Sequence, residues 1–139
     1  MANEHQKDTM KHYISLDKAV RVLAKGGIPV LVFLIAVALN PFTGAAAITT
    51  ALVMIGPAGL IGGIVSLIGI SLLSGVVAEY GIETLIKNLI KHFRSKGYTD
   101  LDIVKTIRDY PLSDGLKLKC ARYIERLQKS SSDHKETFQ

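Results

Sequence analysis

Residues 26–78 contain no Asp, Glu, Lys, Arg or His, so every charged residue of this 139-residue chain lies in one of two flanks. No other feature constrains the fold as strongly. A helix or strand with one wet face carries charge on that face. An uncharged run of 53 residues is far longer than the ~18 apolar residues that suggest a membrane span. The run needs cover, either from lipid or from amphipathic helices of the same chain.

Composition narrows the choice. Hydrophobic residues make up 48% and aromatic residues only 6%, which excludes an intrinsically disordered chain. The length suits one domain. Cys120 is the single cysteine, so neither a disulfide framework nor an all-Cys zinc site is available. Both flanks are basic: five Lys/Arg against three acids in residues 1–25, and twelve against nine in residues 79–139. A net charge of +5, without interleaved aromatic and basic residues, fits anionic lipid better than nucleic acid.

Along the chain every pattern is helical, and the expected class is all-α. Residues 1–27 form a polar N-terminal segment with one amphipathic helix. Its apolar positions are Tyr13, Leu16, Val20 and Leu23, and it ends at Gly26-Gly27. Pro29 suits the first turn of the next helix. Residues 28–80 read as a transmembrane-type helical hairpin with breaks at 40–44 and 56–59. Residues 28–39 alone reach about 18 Å, short of the ~30 Å hydrocarbon core. Residues 28–55 therefore form either one span kinked at Pro41 or two short helices; the kinked span is the preferred expectation. From Leu60 to Tyr80 a helix matches the bilayer, with Tyr80 at headgroup level.

Residues 81–129 continue as a basic amphipathic helix and a two-helix cap. Ile82, Leu85, Ile86, Leu89, Ile90 and Phe93 form the apolar stripe of the first helix, and Gly97 stops it. Such a helix lies in a membrane interface or packs on a core. Lys87, Lys91 and Arg94, on its polar face, are the candidate headgroup-binding residues. Thr99 with Asp102 resembles a capping box, Tyr110-Pro111 breaks the second helix, and Ser113 caps the third. Leu116, Cys120, Tyr123, Ile124 and Leu127 are the stripe of the third helix. Residues 130–139 read as a polar tail.

Within the apolar run, Gly59, Gly62, Gly63, Ser66, Ser71 and Gly75 recur at small-xxx-small spacing. In lipid that spacing lets two helix backbones approach closely. The face so made serves either a homo-oligomer or packing against residues 45–55 of the same chain, the latter being preferred. Catalytic and metal chemistry lack a motif. The histidines (5, 12, 92 and 134) have no partners at zinc-ligand spacing, Cys120 sits on an apolar stripe, and no acid interrupts the run. The expectation is a non-enzymatic protein without metal or cofactor. Ala36-Val37-Ala38 satisfies a signal-peptidase pattern, but the 27-residue leader carries three acids and another apolar span follows, which argues against cleavage.

The layout of residues 13–95, an uncharged helical hairpin between basic amphipathic helices, is similar to that of pore-forming bacteriocin and colicin-type domains. The resemblance is one of pattern and carries no site residues. It implies a membrane protein that inserts a hairpin and permeabilises the bilayer. Lys/Arg on both flanks then keep both termini cytoplasmic. Two alternatives stand beside it: a membrane anchor whose C-terminal helices recruit a partner protein, and a water-soluble bundle in which amphipathic helices sheathe the hairpin.

Overall fold

The computed structural model describes residues 14–41, 44–55 and 70–137. These residues form seven helices and no strand: α1 Leu16–Ala24, α2 Ile28–Ala38, α3 Gly44–Ile55, α4 Ile70–Tyr80, α5 Ile82–Ser95, α6 Asp100–Asp109 and α7 Asp114–Thr137. The all-α expectation holds for them.

Local chemistry sets the helix ends. Ser15 caps α1, its hydroxyl accepting from the Lys18 amide at 3.1 Å, which satisfies one of the orphan N–H groups of a first turn. Gly27, at φ 75°, then turns the chain through 117° into α2; that backbone region suits glycine. At the end of α5 the amide of Gly97 donates to the carbonyl of Arg94 and the amide of Tyr98 to that of Phe93, both at 3.0 Å. With Gly97 at φ 101° this is a Schellman stop, and the Tyr98 and Phe93 rings complete it in edge contact at 5.9 Å. Thr99 and Asp102 form the expected capping box on α6. The Ser113 hydroxyl accepts from the Leu116 amide at the start of α7.

α2 is the centre of the fold. Its sequence, IPVLVFLIAVA, is rich in β-branched residues of modest helix propensity. Burial decides its state: Ile28 and every residue from Val30 to Val37 are buried. A helix apolar on all sides needs cover on all sides, and α2 packs against α1, α3, α5, α6 and α7. The cover comes from single apolar stripes. α1 contributes Ala19, Val20 and Leu23, α5 contributes Leu85, Ile86, Leu89, Ile90 and Phe93, and α6 contributes Ile103 and Ile107. Leu116, Cys120, Tyr123 and Ile124 of α7 join the same cluster. At roughly 1.5–3 kcal/mol for each fully buried large apolar side chain, α2 supplies the largest share of the hydrophobic driving force.

Two expectations need correction. Residues 28–55 are not one kinked rod. α2 and α3 are separate helices that pack on each other; the small Ala47 and Ala51, both buried, line α3 one turn apart. The cap is not a separate unit either, because α6 and α7 share a core with α2. α7 itself continues past Ser130 into the polar tail, to Thr137. Among the described residues no single helix is long and apolar enough to cross a membrane; α1 and α2 together have the length and composition only as a pair bent by 117°.

Candidate functional site

The three basic residues singled out on α5 fall on one groove. Lys87, Lys91 and Arg94 recur at spacings of four and three, so one helical face carries them all. With Ile90 of the same helix and Ile124 and Leu127 of α7 they line a cavity of about 220 Å³. Its floor is apolar because Ile90 and Ile124 belong to the buried stripes that seat α5 and α7 on α2. Its rim is cationic because the next positions around α5 face outward.

The cations differ in their partners. Lys87 Nζ lies 3.1 Å from Glu83 Oε1, one turn back on the same helix. Arg94 grips Asp100 with two parallel bonds, Nε to Oδ1 at 2.7 Å and Nη2 to Oδ2 at 2.5 Å. The side-chain amide of Gln128 also donates to Asp100. Asp100 is only 14% exposed at its side chain, and it joins the end of α5, the start of α6 and the body of α7. The hydrogen bonds to Asp100 hold the Arg94 guanidinium above its ordinary pKa, against a smaller opposing effect of burial. Lys91 is exposed and makes no ion pair among the described residues.

Comparison with known proteins finds no family model, no curated relative and no solved structure that matches this chain.

The groove therefore has to be read from its own chemistry. Three cations face two carboxylates, leaving one positive charge beside an apolar floor. A second, wider depression of about 490 Å³ lies over the α5–α6 turn. Its Lys96 and Lys105 are matched by Asp102 and Asp109, so it has no charge preference. Cys120 is buried, and its thiol is pushed up to about 12 by desolvation, which keeps it protonated and unreactive. Among the described residues no three His, Cys, Asp or Glu side chains come together to hold a metal ion.

The small-residue face is only partly in view. Gly59, Gly62, Gly63 and Ser66 lie outside the described residues. Ser71 and Gly75 are on α4. Gly75 is exposed, and a Cβ placed there would meet nothing within 4 Å. The intrachain close approach expected of these glycines does not occur at Gly75. Tyr80, assigned to headgroup level, donates its hydroxyl to the carbonyl of Ile14 and so ties the end of α4 to the entry of α1.

Sequence reasoning missed the Asp100 clasp. Asp100 reads as an ordinary first-turn acid, and its pairing with Arg94 depends on the reversal at Gly97. The signal was present: a basic residue three positions before a C′ glycine, and an acid three positions after it.

Proposed function

We propose that this is a non-enzymatic membrane-active protein that carries an uncharged helical hairpin under a sheath of amphipathic helices and inserts it into anionic bilayers. The observation that carries the reading is α2, a helix without a polar face, enclosed in part by amphipathic helices, of which α5 presents Lys87, Lys91 and Arg94 on its polar face. Energetics support it. Lipid tails are about as apolar as a Leu-rich core, so moving α2 from sheath to bilayer exchanges one apolar surrounding for another. The cost lies in losing tight packing rather than in exposing apolar surface to water. Insertion would carry α2 and α3 into the bilayer with the apolar segment that follows them and keep both termini on the cytoplasmic side.

The test is release of an entrapped dye. Protein added to vesicles containing phosphatidylglycerol is expected to cause leakage and to resist a carbonate wash. Vesicles of phosphatidylcholine alone should leak far less. Binding without leakage would favour the second reading, a membrane anchor with a protein partner. Such a partner would have Leu101 and Leu118 of the C-terminal helices, 62% and 52% exposed, available to contact.

A further inference from the structure

The geometry points to the α5–α7 groove as a discrete binding site for one singly charged phosphodiester headgroup, that of an anionic glycerophospholipid, with Lys91 as its principal charge contact. Charge sets the class. Glu83 and Asp100 each occupy one cation of the rim, so the groove offers one uncompensated positive charge, matched by a monoanion. Shape sets the rest. The groove, about 220 Å³ and partly open to solvent, has room for a phosphate with its ester linkage. Ile90, Ile124 and Leu127 give the esterified end an apolar floor that a free phosphate would leave unused. Pairing also preorganises the rim. Lys87 and Arg94 are already held by their carboxylates, so the ligand orders chiefly the Lys91 side chain.

The inference rests on the membrane reading only in choosing a lipid as the source of the phosphate, and it is testable without a bilayer. The full chain, isotope-labelled, is titrated with dihexanoyl phosphatidylglycerol below its micellar concentration, and in parallel with inorganic phosphate and dihexanoyl phosphatidylcholine. Saturable shifts centred on Lys91, Ile124 and Leu127 are expected with phosphatidylglycerol, and at least tenfold weaker binding of the other two. Lys91→Gln should weaken phosphatidylglycerol binding five- to tenfold. Lys105→Gln, which removes the same charge from α6, should leave it unchanged.

Equal losses in the two variants would reduce the effect to general charge attraction and overturn the site. Inorganic phosphate binding as tightly as the lipid would overturn the assignment to a lipid headgroup, and an absence of saturable binding would overturn both. A positive titration with no dye leakage would retain this site while rejecting hairpin insertion. Leakage with no saturable titration would do the reverse.

Discussion

Arg94 shows how far a single side chain can be from its apparent role. By composition it belongs to a basic face that greets anionic lipid. In the fold its guanidinium is taken up by Asp100, which Gln128 also holds. The pair is part-exposed, with 47% of the Arg94 side chain accessible, so solvent screens it and its worth is well below that of a buried bridge. A double-mutant cycle of Arg94→Ala and Asp100→Ala, read by urea unfolding, should give a coupling energy of about 1 kcal/mol. A coupling indistinguishable from zero would mean that the Arg94–Asp100 pair adds nothing to the joining of α5 and α6.

Asp102 supplies a second prediction at the same scale. Its carboxylate accepts from the Thr99 amide, and that backbone bond, with the one to the Thr99 side chain, lowers its pKa. Because the folded value lies below the unfolded one, the unfolded chain binds the proton more readily. The contribution is complete above the ordinary carboxylate range near 3.9 and is lost as pH falls through the folded value. Asp102→Asn should therefore lower stability at neutral pH, where the contribution is complete, and converge on the parent as the pH falls below about 4, which flattens the acid limb. An acid limb identical to that of the parent would detach this residue from the acid response.

At the scale of elements, what could be read in the sequence was local. The stripe Leu85, Ile86, Leu89, Ile90, Phe93 is the buried face of α5, and the caps at Thr99 and Ser113 are where their spacing puts them. These features depend on residues within a turn or two of each other. What could not be read was partnership. The break at residues 40–44 permits either a kink or a reversal, and the choice is made by α5, α6 and α7 arriving on α2 from far along the chain. The same dependence hid the groove: Lys87, Lys91 and Arg94 were legible as a basic face, but Ile124 and Leu127 join them only through packing on α2. Leu34, fully buried at the middle of α2, tests that dependence. Leu34→Ala should cost about 2–5 kcal/mol of stability, by lost transfer energy and the cavity left behind. If the sheath restrains the hairpin, the same variant should also release dye faster from phosphatidylglycerol vesicles. Lower stability with unchanged leakage would show that sheath opening does not limit insertion.

At the scale of the molecule, the question is whether α7 leaves α2 when the protein meets a membrane, and Cys120 reports on it directly. It is the only thiol of the chain, it is fully buried on α7 against the α2 core, and burial keeps it protonated with a pKa of about 12. A thiol-specific reagent at pH 8 should thus react slowly with the intact fold, because both access and thiolate formation require opening. An exposed cysteine has a pKa near 8.5 and reacts at once under the same conditions. Phosphatidylglycerol vesicles should raise the Cys120 labelling rate toward that of the urea-unfolded chain, in step with dye release, while phosphatidylcholine vesicles should leave it slow. Protection of Cys120 that persists during leakage would mean that α7 stays docked, and release of the hairpin from beneath it would then have to be abandoned. Faster labelling without leakage would locate the opening in the sheath but assign it to exposure of a docking face, the behaviour expected of an anchor.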